Sequence, residues 1–256
     1  MIISHSHRYL FVELPRTGSM AISAELREHY GGERILGKHS NYREFLRVAT
    51  PDEKGYFVFS GIRNPLDTAV SRFYQLKTDQ RHRFTDPERR ARRRTELSER
   101  IEDRIFRWVH ETDADFESFL LRWYVMPYDT WASVDHRRFG HVLRFESLAD
   151  DFTTVLRKVG LEPVRPLPVV NQTDRPGRDF TREYTPRAIA RARWIFGPYM
   201  QEWGYRFPES WGDVEVPPAS RVALRMLRPY RGIYWKYLRR ARRRKGELPD
   251  ASPQAA

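Results

Sequence analysis

Short apolar runs alternate with segments of helical spacing over the first third of the chain. The runs are four to seven residues long, rich in aromatic and β-branched residues, and bounded by Gly, Pro, Asn or Ser. The predicted elements follow in order: a strand at 9–12, a helix from Met20, a strand at 34–37, a helix over 42–48, a strand at 56–62 and a helix over 66–77. This alternation predicts a parallel sheet with crossover helices, which is an α/β fold.

The pattern continues beyond residue 77 with longer helical segments. The spacing of apolar residues predicts helices over 116–123, 148–159 and 185–203, and a fourth strand at 141–145. After Trp211 the composition becomes strongly basic. We therefore expect one domain over 1–215, followed by a basic C-terminal helix and a disordered tail over 216–256.

Polar residues follow the end of each of the first three predicted strands. These are the PRTGS loop at 15–19, Lys38-His39 and Arg63. Parallel strands place their carboxyl ends on one edge of the sheet, where ligands bind in open α/β folds. We expect these three groups to share that edge.

The PRTGS loop has the composition of an anion site. It joins a strand to a helix, so the unpaired N–H groups of the first helical turn face the loop. Gly18 lets the backbone approach a ligand, Arg16 adds positive charge, and Thr17 and Ser19 supply hydroxyl donors or helix caps. An ordinary capped helix start is the alternative reading. The loop lacks the second glycine and the lysine of a Walker A motif.

A second anion site is predicted at the start of the helix over 66–77. Asn64 suits the N-cap, and Pro65 suits the first helical position. Arg63 precedes this helix and Ser71 lies within it, close enough for an arginine side chain to span much of the gap. A guanidinium and a hydroxyl near a helix start suit a terminal phosphate. The alternative is an arginine and a serine with no joint role.

With two anion sites on one edge, the chain resembles the sulfotransferase superfamily. PRTGS resembles its 5′-phosphosulfate loop, and FVFSGIRNPLDTAVSRFY its 3′-phosphate motif. RFESLADDF and the later NQT, YT and GPYMQEWGY segments extend the resemblance over about residues 7–207. It is closest to the carbohydrate-type, prokaryotic-like members with a K-H-x motif, which is Lys38-His39-Ser40 here.

The resemblance implies a fold, a donor and a set of contacts. The fold would be P-loop-like, with three α/β/α layers around a central, mostly parallel sheet, and residues 1–215 would be the sulfotransferase domain. The donor would be 3′-phosphoadenosine 5′-phosphosulfate (PAPS), held at one end by Arg63 and Ser71. The loop residues that would hold its 5′-phosphosulfate are Arg16, Thr17, Gly18, Ser19 and Met20. Many relatives have lysine where this chain has Arg16, and a planar guanidinium differs in geometry from an ammonium.

Transfer of a sulfuryl group to a hydroxyl is expected to follow the logic of in-line phosphoryl transfer, with no metal required. Arg16 is expected to stabilise charge on the leaving phosphate. His39 is the candidate base, because it lies at the active edge and titrates near neutral pH. Glu146 is the reserve, although a capping or ion-pairing role suits it better. The resemblance implies a carbohydrate or glycolipid acceptor.

Composition narrows the remaining choices. The chain has 256 residues, no cysteine and a net charge of +12, and eleven of its basic residues lie in 221–245, which hold no acid. Disulfides and thiolate metal sites are therefore excluded. The tail suits an anionic membrane surface, whereas binding to nucleic acid is the weaker expectation. With no signal peptide or spanning segment, we expect a cytoplasmic protein, at most peripheral at a membrane. The competing functions are a P-loop-like nucleotide kinase and a basic membrane- or nucleic-acid-binding protein.

Overall fold

A computed structural model describes residues 1–89, 97–170, 173–177 and 179–235. Its strands are β1 Ile2–Ser4, β2 Tyr9–Val12, β3 Glu33–Arg34, β4 Phe57–Ile62 and β5 His141–Arg144. Its helices are α1 Ser19–His29, α2 Tyr42–Leu46, α3 Pro65–Lys77, α4 Leu97–Glu111, α5 Phe116–Trp123, α6 Ala132–Asp135, α7 Leu148–Lys158, α8 Pro186–Ile195, α9 Gly197–Glu202 and α10 Pro218–Ile233. The α/β class predicted from the sequence is confirmed.

The sheet is mixed, with strand order β3-β1-β2-β4-β5. β2, β4 and β5 are parallel neighbours, whereas β1 is antiparallel to both β2 and β3. Four strands consequently run in one direction and β1 runs against them. The mostly parallel sheet that was predicted is therefore confirmed, but its antiparallel strand β1 was not predicted, because a strand of three residues is too short to show a periodic pattern. β3 still points its carboxyl end to the same edge as β2.

The strand predicted at 34–37 is shorter than expected. Only Glu33 and Arg34 pair with β1, and both are exposed. Leu36 has a φ of 60°, a left-handed conformation that a strand cannot contain. The chain therefore leaves the sheet before Gly37 and turns back over the sheet edge.

Alternating side chains of the strands build a core on each face of the sheet. Odd-numbered Tyr9, Phe11 and Phe59 pack with Ile22 of α1 and Phe152 of α7. The even-numbered residues Leu10, Val12 and Val58 point to the other face. There they pack with Phe45, the one buried residue of α2. The two-residue period of a strand thus separates the cores.

A third, helical core lies beside the sheet and positions α3. Residues of α3, α4, α5, α8 and α9 form it, with Phe73, Phe119 and Phe196 at its centre. The single helix predicted over 185–203 is two helices, because Pro198 carries no N–H for a continuous helix. The break lets Gly197 approach Val216, where a Cβ would lie 2.7 Å from its methyl carbon.

The beginning of the basic C-terminal segment is helical, as predicted, and it packs against the rest of the chain. Arg228 of α10 pairs with Asp129 and Glu202, and the Trp235 carbonyl accepts a bond of 3.1 Å from Asn41 Nδ2. Across the described residues, no helix combines the length and apolar character needed to cross a bilayer. Residues 90–96, Asn171-Gln172 of the NQT segment, Arg178 and the tail after Trp235, including the predicted disordered end, lie outside the described residues.

Candidate anion and acceptor site

The loop between β2 and α1 is shaped by two left-handed residues. Arg16 has a φ of 69° and Gly18 a φ of 72°, and Gly18 is the N-cap of α1. No side chain caps this helix, so the expectation that Thr17 or Ser19 would do so was wrong. The Thr17 hydroxyl instead donates to the Leu14 carbonyl at 2.9 Å, which holds the loop to the end of β2. The Gly18 carbonyl accepts from the Ala21 N–H at 3.0 Å, which closes the first turn of α1.

The two glycines around this loop are required by packing. A Cβ on Gly18 would lie 2.3 Å from Leu148 Cδ2, so its close approach is to α7, and its φ is also one that glycine favours. A Cβ on Gly61 of β4 would lie 3.2 Å from the Thr17 hydroxyl. The loop thus packs closely against β4 and α7.

Arg63 bridges the loop and the start of α3. Its guanidinium lies 2.6 Å from an Asp67 carboxylate oxygen, and its Nη1 donates to the Arg16 carbonyl at 3.3 Å. It also stacks on Phe145, 4.0 Å from the ring centroid. Asn64 caps α3 and Pro65 begins it, as predicted. The two predicted anion sites are therefore adjacent and in direct contact.

Ser71 is fully buried and hydrogen-bonds to Thr173 at 2.7 Å between the hydroxyl oxygens. On the same helix, Gln75 accepts from Arg16 at 2.5 Å and donates to the Thr173 hydroxyl at 3.4 Å. Arg175 pairs with the second oxygen of Asp67 at 2.6 Å. We call this connected set the α3 cluster: Arg16, Arg63, Asp67, Ser71, Gln75, Thr173 and Arg175.

Four members of the α3 cluster were not predicted as site residues: Asp67, Gln75, Thr173 and Arg175. Gln75 was detectable, because it lies four residues after Ser71 on the same helical face. Thr173 and Arg175 belong to a loop that meets α3 only through the tertiary fold, and no local pattern marks them.

Arg16 is a partly buried cation with a neutral partner. Burial and then the nearby charge of Arg72 lower the pKa of its guanidinium to about 10. Among the described residues, no carboxylate lies within ion-pair distance of Arg16, and the bond to Gln75 is to an amide. Holding a desolvated charge without a counter-ion is unfavourable, so this position favours an anionic ligand.

A cavity of about 640 Å³ lies beside the loop. Arg16 and Thr17 of the loop line it, together with Arg63, which precedes α3. Arg72 of α3 and Arg231 of α10 also line it. Six of its remaining lining residues are aromatic: Trp123, Tyr124, Tyr128, Trp131, Tyr199 and Trp235. Arginines together with aromatic rings suit a ligand that carries an anionic group and one or more rings.

His39 lies at the edge predicted for it, beside the cavity. Its Nδ1 is 3.1 Å from the Glu13 carbonyl, and its ring meets Trp131 edge-on at 6.5 Å between centroids. A carbonyl can only accept, so Nδ1 carries the proton and Nε2 is the basic atom of the neutral ring. Burial favours a raised pKa for the Glu13 carboxyl, but the Met1 ammonium at 2.7 Å and the Ser23 hydroxyl hold that pKa below its usual range.

Glu146 has a structural role at the start of α3. One carboxylate oxygen accepts from the Asn64 backbone N–H at 2.7 Å, and the other from the Tyr205 hydroxyl at 3.1 Å. Burial and the Glu146 charge both raise the pKa of that tyrosine. These bonds match the capping role considered for Glu146, and among the described residues it is not part of the cavity wall.

The predicted site residues therefore fall into two groups. Arg16, Thr17 and Arg63 line the cavity. Ser71 is joined to the α3 cluster by its hydrogen bond to Thr173, and the His39 ring contacts Trp131, which lines the cavity. The others, Gly18, Ser19 and Met20, form the helix start, with Ser19 buried and the Met20 side chain exposed. The chain matches no protein-family model, no curated protein and no solved structure. Its function is therefore inferred from the residues of the site.

A buried histidine behind the cavity wall predicts loss of stability in acid. His136 packs on Phe139, and burial lowers the pKa of its imidazole to about 3. The unfolded chain binds this proton near pH 6.5, so folding stability falls as pH drops below that value. We expect this group to cost about 2 kcal/mol at pH 5 relative to pH 8. Urea unfolding of the protein and of His136→Phe at both pH values measures the difference, and an equal acid sensitivity of the two contradicts it.

Proposed function

We propose that the protein is a PAPS-dependent sulfotransferase with a P-loop-like fold, which transfers a sulfuryl group to a hydroxyl of a carbohydrate or glycolipid. The observation that carries the proposal is the contact between the two predicted anion sites. The Arg63 guanidinium touches the carbonyl of Arg16, and Arg16 itself has no carboxylate partner among the described residues. The resemblance of the sequence to sulfotransferases assigns these same two arginines to opposite ends of one nucleotide.

The charges of the α3 cluster fit a ligand with two anionic groups. The α3 cluster holds three arginines and one carboxylate, Asp67, which pairs with Arg63 and Arg175. Arg72 adds a further positive charge near Arg16. The α1 N-terminus would hold the 5′ end of the donor with Arg16, Thr17, Gly18, Ser19 and Met20, since helix N-termini bind anions. Arg63 and Ser71 would hold the 3′-phosphate. The bound donor would supply the sulfuryl group.

The remaining roles follow from the placement of the side chains. His39 would take the acceptor proton on Nε2, since Nδ1 donates to the Glu13 carbonyl and fixes the ring. Arg16 would keep positive charge at the loop, where negative charge develops during transfer. The aromatic wall of the cavity would hold the acceptor against its rings, as apolar pockets with few polar groups hold organic ligands.

Isothermal titration with adenosine 3′,5′-bisphosphate tests the proposal. We expect saturable binding at one site, and weaker binding of ATP with Mg²⁺. His39→Asn is expected to bind this nucleotide as tightly as the unmutated protein, and to transfer radiolabelled sulfate from PAPS to a fractionated lysate at least about 100-fold more slowly.

Three outcomes have distinct meanings. No binding of adenosine 3′,5′-bisphosphate overturns the assignment. Preference for ATP with Mg²⁺ favours a kinase. Full transfer activity of His39→Asn excludes His39 as the base but does not contradict the proposed donor site.

A further inference from the structure

α10 has two faces with different surroundings. The inner face carries Leu224, Arg228, Arg231 and Trp235, which recur at helical spacing. Leu224 is buried, Arg228 bonds Asp129 and Glu202, and Arg231 donates to the Pro127 carbonyl at 2.6 Å. This face fixes the helix against the cavity wall.

The outer face of α10 is an apolar stripe open to solvent. Val222, Met226, Tyr230 and Ile233 are 54%, 69%, 74% and 53% exposed. Their spacing of four, four and three residues places them on one side of the helix, opposite the inner face. Single exposed apolar residues are common, but a row along a whole helix marks a contact surface.

The charge of the segment indicates what this stripe contacts. Arg221 and Arg225 are exposed on α10, and residues 218–235 contain no acid. Seven more Lys or Arg follow in 236–245, again without an acid. An apolar stripe with arginines beside it and aromatic residues near the boundary is typical of helices that lie in the interface of an anionic bilayer.

We propose that α10 is an interfacial helix that binds anionic membranes through the stripe of Val222, Met226, Tyr230 and Ile233. The apolar side chains enter the headgroup region, and the arginines bind lipid phosphates. A second copy of the chain fits less well, because pairing two stripes brings together the exposed Arg221 and Arg225 of both copies, four arginines, with no acid in 218–235. Nucleic acid fits less well, because it would leave the stripe in contact with charged phosphates.

Val125 and Met126 line the cavity and are 58% and 54% exposed, and they precede Pro127, whose carbonyl accepts from Arg231 of α10. The inner face of α10 therefore borders the cavity, whereas the stripe lies on the opposite face of the helix. The inference concerns where the protein acts and holds whichever reaction the site performs.

Vesicle flotation of the full-length protein tests the proposal. We expect it to float with vesicles of phosphatidylcholine and phosphatidylglycerol, to remain in solution with phosphatidylcholine alone, and to be released at high salt. Met226→Asp is expected to lower the partition constant about tenfold or more, because it removes an apolar anchor and adds a like charge at the surface. Tyr230→Ser is expected to lower the partition constant as well.

Val169→Asp is the matched control. Val169 is 83% exposed in the connector after α7, so this variant changes charge and exposed apolar surface in the same way away from α10. It is expected to bind vesicles like the unmutated protein. Equal binding by Met226→Asp and Val169→Asp overturns the proposal. The proposal is also overturned if the stripe variants lose self-association, or lose binding to a mixed RNA probe, while their vesicle binding is unchanged.

Discussion

Replacing Arg16 with glutamine is expected to abolish binding of the proposed sulfuryl donor while raising the stability of the ligand-free protein. The guanidinium is desolvated, close to the charge of Arg72, and bonded to the neutral Gln75, so the empty fold gains little from it. Removing an uncompensated charge is expected to stabilise the protein by about 1–3 kcal/mol. Removing a charged partner of a buried anion costs about 2–5 kcal/mol, or roughly 30-fold to several thousand-fold in affinity. Titration with adenosine 3′,5′-bisphosphate and urea unfolding measure the two effects.

The opposite signs of these effects make the experiment specific. Arg8→Gln is the control, since Arg8 lies at the amino end of β2 and pairs with Asp52 at the other edge of the sheet. It is expected to bind the nucleotide normally. An Arg16→Gln protein that is less stable and still binds would assign Arg16 a structural role, and the proposed donor site would have to be abandoned.

Elements with strong local signals were predicted well. The apolar runs gave β2, β4 and β5 nearly to the residue, and Asn64-Pro65 marked the start of α3 because both residues have fixed roles at a helix N-terminus. The common sheet edge also followed from the sequence. His39 and the loop at Arg16 meet there even though β1 inverts one strand, because β3 is antiparallel to β1 and so runs with β2.

Features that depend on distant contacts could not be predicted from a pattern. β1 is three residues long and is defined by its pairing with β2 and β3. The loop that carries Thr173 and Arg175 meets α3 about one hundred residues away in sequence. Gly18 suggested a close approach to a ligand, and the structure assigns that approach to Leu148. A glycine shows that space is limited, but its sequence neighbours do not show what fills it.

α10 was predicted as a helix, but its packing against the rest of the chain was not predictable from its basic composition. Its contacts with the rest of the chain come from arginines that look no different in sequence from their exposed neighbours. Arg228 is distinguished from Arg221 only by the acids it meets, Asp129 and Glu202. The docking of the helix is therefore best tested at that pair.

Arg228→Met is expected to destabilise the protein by about 3–5 kcal/mol and to release α10 from the cavity wall. The Asp129 side chain is fully buried, and burial raises the pKa of its carboxyl although Ser133 and Arg228 stabilise the charged form. Without the guanidinium, the hydrogen bonds left to the charged carboxylate among the described residues are those from the Ser133 hydroxyl and the Thr130 backbone N–H. Arg228 lowers the pKa of this carboxyl, so its removal raises that pKa further. The variant then binds the proton more tightly than the unmutated protein, and the penalty should shrink as pH falls from 8 to 5.

Urea unfolding at both pH values measures this penalty. Arg221→Met is the matched control, since it removes an exposed arginine from the same helix and should change stability by less than about 0.5 kcal/mol. Adding Asp129→Asn to Arg228→Met should recover part of the loss, because an amide can be buried without its charge. Equal midpoints for Arg228→Met and Arg221→Met would contradict docking through Asp129. In that case Arg231 and Trp235 would not be held at the cavity, and α10 could move away from the cavity together with these two lining residues.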